Sequence, residues 1–363
     1  MSIIIFIIIL FVLVVSHEFG HFIVAKKSGM RVDEFSFGFP PKLFGIKKGE
    51  TSYNFNLLPL GGYVKIFGEN GDDGSEADTV DKDRSFKNKP LYKQALVLVA
   101  GVVMNFLVAW LLLSIGFMSG LPTSVSSAPK GAVVSNQALT ITSIASKSPA
   151  EKAGLKVGDR LSSLDTKTDS TKIPSSDFGA ESVKTFVKAH SGEEINVSII
   201  RGKEPMSINV VPENTMIGIS MDTIGNLKLP IHKAIWEGLK LSWNLVVETI
   251  SGFYHLIYSG LTGHGSLSGL SGPVGIVGVV GDAAKFGFIY LLSFTALISI
   301  NLAVLNLIPF PALDGGQLLF VLIEKIKGSR INPKITNIVN TAGFLLLMLL
   351  MLIITYHDVV KLF

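Results

Sequence analysis

Four stretches of this chain are apolar enough to cross a lipid bilayer, and that constrains its fold more than any other feature. A helical span needs about 20 mostly apolar residues, and residues 1–25, 95–119, 286–309 and 335–356 come close to or meet that length. Inside hydrocarbon a segment must satisfy its own backbone polar groups, so these stretches are expected to be helices. Composition agrees: 48% of residues are hydrophobic and 17% charged, against about 25% charged in soluble domains. The net charge of +4 is small and dispersed, which argues against a nucleic-acid partner. With no cysteine there is neither disulfide nor thiolate, so any metal must be held by histidine and carboxylate.

The first span contains HEFGH, residues 17–21. Histidines four apart share a helix face, and in an HExxH site they bind one metal while the glutamate takes a proton from metal-bound water. Ionisable groups at membrane depth cost a few kcal/mol each. Three within five residues, His17, Glu18 and His21, therefore point to a bound metal. A chance match and a secretory signal peptide are the competing readings. The latter lacks a basic stretch before the apolar run and a small-residue cleavage site after it.

Basic residues at span ends set the expected orientation. Lys26, Lys27, Arg31 and Lys42 follow the first span, Lys87, Lys89 and Lys93 precede the second, and Lys325, Lys327, Arg330 and Lys334 separate the third from the fourth. Those loops are expected to be cytoplasmic, with both termini and residues 120–285 outside. Within the first cytoplasmic loop, residues 26–94, two β-prone runs flank Pro59, Leu60, Gly61 and Gly62 and predict a hairpin over about 51–67. It is apolar for a loop, so it is expected to pack against the membrane near the metal, where a strand edge could pair with an extended substrate. A surface hairpin without that role is the alternative. The acidic, glycine-rich residues 69–83 read as a connector.

Residues 128–222 have the composition of a soluble domain, with short β-prone runs and a helix over 182–189. The run SPAEKAGLKVGDRL, residues 148–161, starts a helix at Ser-Pro and ends it at glycine. It resembles the AxxAGLxxGDxI signature of PDZ domains in bacterial membrane proteases, which implies capture of peptide termini by strand addition. A structural spacer is the other reading. Residues 232–261 carry Trp236, Trp243, Phe253, Tyr254 and Tyr258 among few charges, the pattern of an amphipathic helix on the lipid surface. Glycine density over 260–281, including SGPVGI, suggests a turn or close backbone packing. His255 and His264 read as interfacial residues.

A catalytic zinc site usually has three protein ligands, so a third is wanted. Asp314 in NLIPFPALDGG, residues 306–316, is the leading candidate, because its two prolines and two glycines predict irregular backbone at the end of the third span, on the cytoplasmic side. Glu324, His357 and Asp358 are weaker rivals, and Asp314 could instead cap a helix.

Together, HEFGH, the Gly101-x-x-x-Asn105 pair in the second span, the PDZ-like segment, SGPVGI and NLIPFPALDGG resemble, in this order and over nearly the whole chain, the site-2 protease family of intramembrane zinc metalloproteases. The likeness is to the bacterial regulator of sigma-E protease group. It implies a polytopic α-helical membrane protein with about four transmembrane helices, a membrane-associated β-hairpin and one inserted extracytoplasmic PDZ domain of mixed α/β structure. By the same resemblance His17, His21 and Asp314 hold one Zn²⁺ and Glu18 is the catalytic base. Asn301, Asn306, Gly61, Gly62 and Tyr63 contact the substrate, a transmembrane segment of a trimmed anti-sigma factor or a remnant signal peptide. The best-known members carry tandem PDZ domains, and this chain has room for one. The expected location is the bacterial inner membrane, and a non-catalytic PDZ membrane scaffold and a proton or metal relay transporter are the rival classes. The first leaves Glu18 unexplained, and the second wants an internal repeat that is not seen.

Overall fold

In a computed structural model, the structure describes residues 1–69, 82–129, 131–166, 179–202, 204–262 and 272–360. Most of the acidic connector, together with His264 and Ser271, lies outside the described residues. The chain divides into two units.

The first unit comprises Met1–Leu113, Ile235–Ala284 and Leu291–Phe363. Helices α1 (Ser2–Lys27), α2 (Leu91–Ser119), α7 (Phe288–Leu307) and α9 (Pro333–Val360) are each long and apolar enough to cross a membrane. Much of their apolar surface is exposed, above all on α9, where Leu345, Leu346, Leu349 and Leu352 face outward. Such a surface requires lipid as its solvent, and the chain is a multi-pass membrane protein.

Helices α1 and α2 meet backbone to backbone. A Cβ on Gly20 would strike the carbonyl of Ala100, and one on Gly101 would strike the rings of His17 and His21. Small residues let apolar helices approach closely where hydrophobicity gives no drive between them. Two apolar clusters flank this contact. One joins Ile9 and Leu13 to Val280; the other joins Ala25, Met30 and Val32 to Ile66, Val97 and Leu98.

The loop sheet is larger than the sequence suggests. Strand β1 (Val32–Lys48) pairs with β2 (Thr51–Ile66) through a reversal at Gly49 and Glu50. Since residues 51–55 run parallel to 32–37 while 62–66 run antiparallel, the chain reverses again between residues 55 and 62, the region of the expected turn. The register doubles back: Phe35 is opposite both Val64 and Tyr53, and Tyr53 is also opposite Ile46. Residues 32–37 therefore lie between 62–66 and 51–55, with 44–48 beyond. A hairpin confined to 51–67 misses the central segment, whose pairing is non-local in sequence.

The glycine-rich stretch also departs from expectation. Residues Pro273–Phe286 form helix α6. Asp358 of α9 accepts the N–H of Gly275 at 2.8 Å, and Gly281 packs on Ser2. Tertiary contacts thus hold a helix that glycine disfavours. Helix α5 (Ile231–Leu261) is continuous, with Trp236, Trp243, Tyr254 and Tyr258 exposed. Helix α8 (Asp314–Lys327) follows the proline-rich turn.

The second unit comprises Ser114–Ala234 and Lys285–Tyr290. Its strands are β3 (Leu121–Ser124), β4 (Val133–Ile144), β5 (Arg160–Thr166), β6 (Ile195–Arg201), β7 (Glu204–Val210) and β8 (Ile219–Lys228), in sheet order β3-β8-β4-β5-β6-β7. The sheet thus extends beyond residues 128–222 at both ends, because β3 adds to the end of β8. Helix α3 (Pro149–Ala153) begins at Ser148, whose side chain accepts the N–H of Glu151, and ends at Gly154 with φ of 86°. Helix α4 (Ala180–Ala189) covers the sheet with Val183, Phe186 and Val187 against Ile195, Val197 and Leu164. Asp159 is fully buried and receives two 2.7 Å hydrogen bonds from Arg201.

Candidate active site

Helical periodicity places His17 and His21 one turn apart on α1, with their rings over Gly101 of α2. Asp314 reaches them from α8 through the proline-rich turn. Ala312 has φ of 72° and donates its N–H to Asn340 of α9 at 3.2 Å, and Leu313 takes the cap position. Asp314 is then the first residue of α8, and its carboxylate faces the histidines rather than capping its own helix. Gly315 and Gly316 permit this turn, since a Cβ on either would collide with carbonyl oxygens of residues 307–310.

The three side chains converge on one point. His17 Nε2 and His21 Nε2 are 3.2 Å apart, and Asp314 Oδ2 lies 3.1 Å from the first and 3.3 Å from the second. The histidines are only 9% and 8% exposed. His21 Nδ1 is 2.8 Å from the carbonyl of Val97, which can only accept, so Nδ1 carries a proton, and in the neutral ring Nε2 is then a lone pair. Asp314 Oδ2 is buried without a hydrogen-bond partner. Acceptor atoms facing one another at this spacing call for a cation between them, and ligands at about 2.0–2.1 Å around a tetrahedral ion are themselves about 3.3 Å apart. The residues present fit a metal ion.

Glu18 occupies the same turn of α1 and accepts a hydrogen bond from the backbone N–H of Val64 in β2. A cavity of about 120 Å³, lined by His17, Glu18, His21, Tyr63, Glu69 and Asp314 among others, gives water room beside the carboxylate. Gly62 lies on the Glu18 side chain, where a Cβ would come within 3.4 Å of its Cγ, and Gly61 lies against Phe39. Tyr63 donates to Glu34 at 3.0 Å.

The two asparagines of α7 part company. Five residues place them about 140° apart around a helix. Asn306 Nδ2 comes within 3.4 Å of His17 Nε2, whereas Asn301 accepts from Thr249 of α5 at 3.0 Å. Two of the three rival ligands are engaged elsewhere: Glu324 accepts from Ile331 N–H and Asp358 from Gly275 N–H. Sequence reasoning missed the Val97 carbonyl and the Val64 N–H, because backbone groups leave no residue signal. Asn105, 3.3 Å from His17 Nδ1, did carry one, as a polar residue in an apolar span.

Residues 5–350 match Peptidase family M50. A chain of Fusobacterium nucleatum is 36% identical over 370 residues, covering 100% of both chains. The zinc metalloprotease RasP of Geobacillus kaustophilus is 31% identical over 440 residues, covering 100% of this chain and 98% of its own. The regulator of sigma-W protease RasP of Bacillus subtilis is 29% identical over 439 residues, covering 100% and 99%. The chain belongs to peptidase family M50, the site-2 proteases, and is a metalloprotease in a multi-pass membrane protein.

Proposed function

We propose that this protein is an intramembrane zinc protease that hydrolyses peptide bonds within transmembrane segments, of the kind left by trimmed anti-sigma factors or signal peptides. The observation that carries this reading is the convergence of His17, His21 and Asp314 to 3.1–3.3 Å among helices apolar enough to span a membrane. Zinc bound there supplies Lewis acidity toward water and the scissile carbonyl. Glu18 takes a proton from the attacking water and passes it to the leaving amine, and the Val64 N–H holds its carboxylate in place.

A helical substrate hides its carbonyls in internal hydrogen bonds and must unwind to react. Residues 62–66 of β2 pair with 32–37 on one side, and no other strand pairs with them among the described residues. Their free edge can accept an unwound strand, as strand addition requires. Asn306 stands where its amide can donate to a substrate carbonyl, and Asn301 acts one step removed, through α5. The basic loops support a reading in which this site faces the cytoplasm and residues 120–285 lie outside the bacterial inner membrane.

The second unit serves as a PDZ domain. A groove of about 390 Å³ lies between α4 and the first residues of β8, lined by Val183, Val187, Ile217, Ile219 and Met221. Strand β3 pairs only with residues 224–227 of β8, so the edge of residues 219–223 facing α4 is open for a peptide terminus.

The test is proteolysis of a single-span substrate by purified protein in detergent, with the products mapped by mass spectrometry. Cleavage within the apolar segment supports the reading. Cleavage confined to flanking loops, or none with zinc bound, contradicts it.

A further inference from the structure

Asn105 is 1% exposed and projects from α2 beside His17. Its Nδ2 is 3.3 Å from His17 Nδ1, while its Oδ1 is buried with no hydrogen-bond partner. The two ends of a side-chain amide are nearly the same size, so chemistry decides which one faces the ring. His17 Nε2 is the atom directed at His21 and Asp314. If it ligates a metal it must be a lone pair, and Nδ1 then carries the proton. An NH₂ group cannot accept that proton, whereas the orphaned Oδ1 can.

We infer that Asn105 is a positioning residue whose Oδ1 accepts the Nδ1–H of His17, fixing the tautomer and the ring angle of that ligand. The inference rests on the metal reading of His17. It assigns to Asn105 the part the Val97 carbonyl plays for His21 at 2.8 Å. Val97, Gly101 and Asn105 fall at four-residue intervals on one face of α2. They form a mould for two imidazoles: an acceptor for one ring, a gap that holds both, and an acceptor for the other. The mould is anchored, because the backbone carbonyl of Asn105 accepts from Ser299 Oγ of α7 at 2.8 Å, and Ser299 is fully buried.

The experiment is zinc affinity by competition with a chromophoric chelator in detergent, for wild type, Asn105→Leu and Asn105→Asp. Melting of the zinc-free proteins is followed in parallel. Aspartate keeps an acceptor and cannot donate through its carboxylate; leucine keeps the bulk alone. Partners of this kind change metal affinity by about 10–100-fold, so Asn105→Leu is expected to weaken zinc by that factor while Asn105→Asp holds it at least as well as wild type within about threefold. An Asn105→Leu protein that binds zinc like wild type overturns the inference, as does an Asn105→Asp protein that loses it. If Asn105→Leu fails to fold, Asn105→Asp decides alone: retention supports the acceptor role and loss overturns it. A wild type that holds no zinc overturns the metal reading together with this inference, whereas indifferent variants of a zinc-binding wild type overturn this inference alone.

Discussion

Asp314 Oδ2 lies 3.1 Å from His17 Nε2, joining the first turn of α8 to the middle of α1 across almost the whole length of the chain. Helix α1 brings the two histidines of the proposed metal site together by its own periodicity, and the aspartate joins them because residues 308–313 fold tightly over two glycines.

Removing Asp314, the proposed third ligand, is expected to empty the site. For Asp314→Ala, zinc per chain measured by atomic emission should fall from about one towards zero, while the helical circular dichroism stays. Full retention of zinc would move the third ligand elsewhere.

Gly101 marks where side-chain volume is forbidden. In an exposed helix, glycine to alanine is favourable by about 0.5–1 kcal/mol. Here the added Cβ meets His21 and His17 ring atoms. Gly101→Ala is expected to lose zinc binding and to lower stability by about 1–3 kcal/mol, the usual cost of overpacking, checked by metal content and thermal melting.

In the second unit, Asp159→Ala leaves Arg201 without its carboxylate. Breaking a buried pair by removing one partner costs about 3–5 kcal/mol, and Asp159 is fully buried against a 24% exposed arginine side chain. Amide hydrogen exchange should show β5 and β6 losing protection, with α1 and α2 unchanged.

Glu50, at the β1–β2 reversal, accepts from Lys26 at 2.6 Å and from Arg84 at 2.7 Å. The hydrogen bond from Lys26, then Arg84 and the two positive charges, outweigh burial and hold its carboxyl below the ordinary value of 4.5. A lowered folded-state pKa means stability that is present above the unfolded value and lost as pH falls through the folded one. Melting temperature is expected to drop on acidification below about pH 4.5 more steeply in wild type than in Glu50→Gln. Equal slopes would remove Glu50 from the account of acid sensitivity.

Much of this architecture was legible in the residues. The spans announce themselves by length and hydropathy, and HEFGH states a one-turn spacing that needs only a helix to become a half-built metal site. The two prolines and two glycines around Asp314 signalled irregular backbone on the HEFGH side and put it ahead of Glu324, while choosing a ligand over a helix cap drew on family resemblance. What stayed hidden was non-local or carried by backbone. Nothing in Glu34 or Phe35 tells that each faces two segments of β2. Helix α6 opposes its own propensity and is held by Asp358 and Ser2. The Val97 carbonyl and the Val64 N–H contribute through position alone, as any residue there would.

The most direct test of the central claim is the cleavage rate of Glu18→Gln at full zinc occupancy, against wild type, on a single-span substrate. With Glu18 as the base, the variant is expected to hold about one zinc per chain and to cleave about 10²–10⁴-fold more slowly. A zinc-loaded Glu18→Gln protein that cleaves at the wild-type rate would contradict it.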